Sequence, residues 1–235
     1  MIISNSRNFI FIHVPKCAGS TVTSLLSSAV RWNDLELGVS KFGEAIHPLY
    51  MARFGLWKHA SAPEVRNIIG SDRFSQYFSF AFVRNPAARA VSFYTFVRKL
   101  HQSSQDEARA NIEKWPATKA MLATGNFSEF IRHPEFHKEP HMHDLLAEKT
   151  EDGHRILVDL VGKVEAFEKD MRRICATIGV PFHDDYQRAN TSSNAQEKPK
   201  HFYASIDDLE YIYNSQQVSH RLWRWTPQGS AIPAC

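Results

Sequence analysis

The stretch Phe9–Thr21, FIFIHVPKCAGST, constrains this chain more than any other. Phe9, Ile10, Phe11, Ile12, His13 and Val14 form a short aromatic and β-branched run that Pro15 closes. A run of that length and composition reads as a central parallel strand covered on both faces. A helix follows at once, from about Gly19 to Val30, because Val22, Leu25, Leu26 and Ala29 recur at i, i+3, i+4 and i+7. Lys16, Cys17, Ala18, Gly19, Ser20 and Thr21 fill the joint. Such a turn aims backbone N–H groups at one point, and the helix dipole favours an anion there. Gly19 lets backbone approach a ligand closely, Ser20 and Thr21 add hydroxyl donors, and Lys16 adds a mobile positive charge. The turn is a candidate phosphate or sulfate site, although strand, turn and helix also occur as a plain connection in any α/β protein. It is not a Walker loop: no Gly opens it, and Lys16 precedes Gly19 rather than following it.

A second joint of the same kind comes later. Tyr77–Val83, YFSFAFV, reads as a strand, and Arg84-Asn85-Pro86 leads into a helix reaching about Leu100, with Asn85 as cap and Pro86 at its first position. Arg84 stands at the strand end, Arg89 one turn into the helix and Ser92 one turn beyond. A guanidinium there grips a phosphate bidentately or pairs with a surface carboxylate. In a doubly wound sheet such turns lie together at the carboxyl edge, where ligands bind. Between the two joints, Ala45–Phe54 reads as a helix with Ile46, Leu49, Tyr50 and Phe54 on one side. Leu56–Ala60 reads as a short extended piece carrying His59. Ser61-Ala62-Pro63-Glu64 has the form of a capping box that opens a further helix. Beyond residue 100 the chain reads as helices broken at Pro116 and Gly125, with Ser128 as a cap. An irregular His- and Pro-rich loop follows over Arg132–Asp144, then a strand over His154–Val161, a helix over Phe167–Ile178 ended by Gly179, a polar loop over Arg188–His201 and a last helical stretch from Ile206 into an aromatic tail.

Composition narrows the class. The 235 residues suffice for one α/β domain over 1–235, and 16 Phe and 5 Trp argue against disorder. A net charge of +3 suits an anionic small ligand but is too weak to argue for nucleic acid. Cys17, Cys175 and Cys235 are far apart and form no C-x-x-C pair, so neither a zinc site nor a disulfide framework is indicated. No apolar run approaches a membrane span, and no signal peptide is recognised, so the expectation is a cytoplasmic protein. The sequence gives no reading of oligomeric state.

Taken together, the two joints resemble those of the PAPS-dependent sulfotransferases, in particular the carbohydrate-type branch with its bacterial members. IFIHVPKCAGST is similar to the family's 5′-phosphosulfate loop, h-h-H-x-P-K-x-A-G-[ST]-[ST]. FVRNPAARAVS is similar to its 3′-phosphate motif, F-x-R-[DN]-P-x-x-R-x-x-S. Softer likenesses continue in LVDLVGKVEAFEKDMRRICATIGVP and in the polar loop at Asn190-Thr191-Ser192. The resemblance implies a P-loop-like α/β fold with a central parallel sheet and helices on both faces. It implies 3′-phosphoadenosine 5′-phosphosulfate (PAPS) as donor, PAP as product, no required metal, and a hydroxyl-bearing acceptor, a saccharide or glycoconjugate. Lys16, Cys17, Ala18, Gly19, Ser20 and Thr21 would hold the 5′ end, Arg84 and Ser92 the 3′-phosphate, and Thr191 and Ser192 would close over the nucleotide. Lys16 would also stabilise charge on the leaving oxygen.

The acceptor needs a general base, and His is the natural one near neutral pH. The resemblance points to His59, with Glu44 or Glu64 as fallback and Glu64 expected in its capping box. His13 is expected in the core or behind the site. The His133, His137, His141 and His143 cluster tempts a metal reading, but Pro134 and Pro140 interrupt it and no Cys joins in; an acceptor-side or solvated loop is the expectation. Other classes compatible with the turns are a P-loop kinase using ATP and a non-catalytic nucleotide-binding protein on the same fold.

Overall fold

The computed structural model describes residues 1–183, 186 and 206–224. In chain order its elements are β1 (Ile2–Ser4), β2 (Phe9–Ile12), α1 (Gly19–Leu26), β3 (Leu35–Glu36), α2 (Lys41–Phe54), α3 (Ala62–Ile69), α4 (Ser71–Gln76), β4 (Phe78–Val83) and α5 (Pro86–Ser103). There follow α6 (Asp106–Ile112), α7 (Pro116–Ala123), α8 (Phe127–Arg132), α9 (Met142–Leu146), β5 (Ala147–Thr150), β6 (Gly153–Ile156), β7 (Leu160–Lys163), α10 (Phe167–Ile178), α11 (Ile206–Ser215) and α12 (Gln217–Trp223). The chain divides into two compact units, one of Met1–Arg84 with Met142–Ser192 and the other of Asn85–His141 with Ser193–Cys235.

The first unit is built on a five-stranded sheet of order β3-β1-β2-β4-β7. Phe9, Ile10 and Ile12 on β2 and Phe80, Ala81 and Val83 on β4 have no exposed surface, as strands covered on both faces must. Burying each of the larger side chains contributes about 1.5–3 kcal/mol. β2, β4 and β7 run parallel, with Ile12 opposite Ala81 and Val83 opposite Lys163. Val22 and Leu26 of α1, Phe74 of α4 and Met171 and Ile174 of α10 are buried with the sheet residues, and Phe82 of β4 meets Phe167 of α10 at 4.9 Å between ring centroids.

The α/β class holds, but the sheet is mixed rather than parallel. β1, not anticipated from the sequence, pairs antiparallel with both β2 and β3. The link from β1 to β2 is a short turn in which Asn8 takes a left-handed φ of 54°, and a link that short can only make a hairpin. The strand expected over His154–Val161 is two strands. β6 pairs with β5 in a separate hairpin, whereas β7 joins the main sheet. The break falls where the Asp159 carboxylate accepts from the backbone N–H and hydroxyl of Ser79. Leu56–Ala60 is a turn, not an extended piece: α2 ends on left-handed Gly55, and the Ala60 N–H bonds back to the Trp57 carbonyl.

The second unit is helical. Phe93, Tyr94 and Val97 of α5, Phe127, Phe130 and Ile131 of α8, Phe136 and Ile212 form its core. Asn85 caps α5 as expected, accepting from the N–H groups of Ala87 and Ala88, and its amide donates to the Tyr213 hydroxyl at 2.7 Å. The break expected at Pro116 falls just before it: α6 ends at Ile112 and Pro116 opens α7, where its missing N–H is no loss. Asn126 caps α8, while the Ser128 hydroxyl donates instead to Asp208. The segment read as an irregular loop after Arg132 contains a 3-10 turn at Phe136–Lys138, and α9 begins at Met142.

Candidate active site

The site grows from the carboxyl ends of β2 and β4. Their parallel pairing sets the start of the loop after β2 and Arg84, the first residue after β4, at one edge of the sheet in the first unit. After β2, the chain reaches α1 through a loop in which Lys16 (φ 65°) and Ala18 (φ 62°) both take the left-handed conformation. Non-glycine residues enter that region at a cost, and they persist there when the surroundings dictate it. Cys17, between them, is buried, and its thiol donates to the Met142 sulfur at 3.8 Å. The loop is therefore pinned through its middle residue.

α1 begins at Gly19 with Ala18 as its cap, no side chain capping it and no acidic residue in its first turn. First-turn N–H groups find no partner within a helix, so Gly19 and Ser20 present donors at the positive end of the dipole. Neither a capping side chain at Ala18 nor a first-turn carboxylate takes that place. Lys16 and Ser20 are half-buried beside it, and Thr21 is buried. The donor set suits an anion.

Gly19 has a second reason to be glycine. A Cβ there would lie 1.9 Å from two ring atoms of His13. The His13 imidazole lies directly beneath the start of α1, stacked on Phe11 and met edge-on by His59 at 4.6 Å between centroids. Burial pushes the His13 pKa well below the usual histidine range, and the positive charges of Lys58 and Lys16 act the same way.

His59 stands in the turn between α2 and α3. Its Nδ1 lies 2.8 Å from the carbonyl oxygen of His13. A carbonyl only accepts, so Nδ1 carries the proton and Nε2 carries the lone pair. Burial pushes the His59 pKa down to about 3; the bond to the His13 carbonyl opposes that shift, and Lys58 and His47 add to it. The neutral imidazole, the form that accepts a proton, is thus the resting form. The turn is held on its far side by the capping box: the Ser61 side chain accepts from the Glu64 N–H, and Glu64 accepts from the Ser61 N–H at 2.6 Å. Glu64 is accordingly engaged, and Glu44 pairs with Lys58 at 3.1 Å.

Arg84, half-buried, is the first residue beyond β4, and its backbone N–H donates to the same Met142 sulfur at 3.5 Å. The first unit thus brings together Lys16–Thr21, His13, His59 and Arg84. Ser92 lies half-buried on α5 in the second unit. Thr191 and Ser192 lie outside the described residues. In the His-rich segment, His137 pairs with the Tyr211 hydroxyl at 2.8 Å and His133 accepts from the Glu135 N–H. Among the described residues, no three His, Cys, Asp or Glu side chains gather as a metal site. Sequence reasoning missed Met142 and the double duty of His13. A lone Met carries no signal, whereas the His just ahead of the loop carries one, being the sole polar residue in an apolar run.

A family model described as the sulfotransferase family matches residues 1–222. An uncharacterized protein of Archaeoglobus fulgidus is 27% identical over 134 residues, covering 55% of this chain and 90% of the relative. No solved structure matches. No helix among the described residues is long and apolar enough to cross a membrane.

Proposed function

The chain belongs to the sulfotransferase family, and we propose that it transfers a sulfuryl group from PAPS to an acceptor hydroxyl with His59 as general base. The observation that carries this reading is the His59–His13 hydrogen bond, which leaves a lone pair on Nε2 of a neutral imidazole close to the Lys16–Thr21 turn. His59 Nε2 takes the proton of the attacking hydroxyl as its oxygen bonds to sulfur. Lys16 and the N–H groups opening α1 hold the 5′ end and offset the charge that develops on the leaving phosphate oxygen. Arg84 and Ser92 are assigned the 3′-phosphate on the spacing of their motif, and Thr191 and Ser192 the closing of the nucleotide pocket on sequence likeness alone.

The low pKa of His59 does not speak against this role. Burial is its main cause, and the negative charge of a bound donor favours the protonated imidazole and so raises the pKa towards the range a general base needs. The acceptor is read as a saccharide or glycoconjugate, and the enzyme as a bacterial-type member of the carbohydrate branch. The support for both is the likeness of the two motifs to that branch.

Isothermal titration with PAP and with ATP tests the donor, and transfer of label from PAPS to a panel of sugar acceptors tests the reaction. PAP should bind and ATP should not. His59→Ala should lose turnover by about 10²–10⁴-fold while PAP affinity stays. Preferential binding of ATP, or PAP binding without transfer to any acceptor, would reject the assignment in favour of a kinase or a non-catalytic protein.

A further inference from the structure

Parallel pairing fixes where the two turns start, but no ladder bond holds them beyond Ile12 and Val83. Further out, one side chain reaches both. Met142, the first residue of α9, has no exposed surface. Its sulfur accepts the thiol proton of Cys17 at 3.8 Å from one turn and the backbone N–H of Arg84 at 3.5 Å from the other. A thioether is a weak acceptor on an adaptable stem, suited to serve two donors whose positions are set elsewhere. Cys17 is also the residue flanked by the two left-handed positions, so the contact anchors the strained part of its loop.

We propose that Met142 is a positioning residue, its sulfur setting the spacing between the 5′ and 3′ anion turns so that a two-ended donor engages both at once. This rests on the donor reading above. A ligand with two linked anionic ends gains from both sites only when their separation matches its own. A ligand with one anionic end is indifferent to that separation. Leucine at this position keeps the burial and loses the acceptor, so it reads the sulfur rather than the volume.

The full-length chain and its Met142→Leu variant are titrated with PAP and with two one-ended probes, adenosine 5′-phosphosulfate and adenosine 3′-monophosphate. The expected result is a PAP affinity weakened by about fivefold or more, with both one-ended probes within about twofold of wild type. Unchanged PAP affinity, or an equal loss for all three ligands, overturns the proposal. Should Met142→Leu fail to fold by circular dichroism, Met142→Ile, which also removes the sulfur and keeps an apolar side chain, reads the same ratio. Wild-type protein that binds no PAP overturns the donor reading and this inference with it. Wild-type binding matched by the variant overturns this inference alone.

Discussion

Replacing Gly19 by alanine should destabilise this protein, against the usual sign of such a change. Gly19 is helical rather than left-handed, and Gly→Ala at a compatible helical position ordinarily stabilises by about 0.4–1 kcal/mol. Here the new methyl would sit 1.9 Å from Cδ2 and Nε2 of His13 and 2.7 Å from Cε1. His13 is only 6% exposed, with Phe11 stacked at 5.8 Å and the His59 edge at 4.6 Å, so the ring is hemmed in on both sides. Forcing a methyl into a packed site costs about 1–3 kcal/mol. A 1.9 Å approach puts the cost in the upper part of that range, about 2–3 kcal/mol, so against the backbone gain the net loss is about 1–2.6 kcal/mol, which for a chain of this size lowers Tm by about 2–10 °C. A thermal melt followed by circular dichroism measures it. The double variant with His13→Ala opens the space the methyl needs, so the two changes should couple by about 1 kcal/mol or more in the favourable direction. A Gly19→Ala protein as stable as wild type, or two changes that merely add, would refute the packing of His13 under α1.

Three further outcomes are expected. Lys16→Ala should abolish transfer and weaken PAP binding by about tenfold or more, through lost charge at the 5′ end; titration and the labelled-PAPS assay report both, and full activity would remove Lys16 from the site. Ser61→Ala should cost about 1 kcal/mol through loss of the capping box and lower turnover with it, since His59 stands in the turn that the box closes; denaturant unfolding alongside kinetics measures the pair. Acid should destabilise the fold from below pH 6.5. His13 and His59 have folded pKa values below their unfolded ones, so the unfolded chain binds more protons there and stability falls as pH drops, for His59 until about pH 3. His13 and His59 together contribute a slope of up to about 2.7 kcal/mol per pH unit, and His59→Asn should remove about half of that share. Equal stability at pH 7 and pH 5 in urea titrations would contradict the neutral burial of both rings.

What the sequence disclosed depended on how local the cause was. β2, β4 and the caps at Asn85 and Ser61 are legible because a few neighbouring residues dictate them: an unbroken apolar run, an Asn before Pro, a Ser three residues ahead of Glu. The split of His154–Val161 was not, because Asp159 ends one strand and starts another through Ser79, far away in the chain. The antiparallel β1 was missed because Ile2–Ser4 is too short to carry a period, although Asn8 at the turn offered a cue. Gly19 shows the same divide within one residue. Its place before a helix suggests an approach to an anion, which the uncapped start of α1 supports. Its stronger requirement comes from His13, whose ring fills the space a side chain would need and whose carbonyl orients His59. The His in the strand and the Gly in the loop therefore act as one device: the first cannot lie beneath the helix unless the second has no side chain, and the base in the neighbouring turn takes its tautomer from that placement.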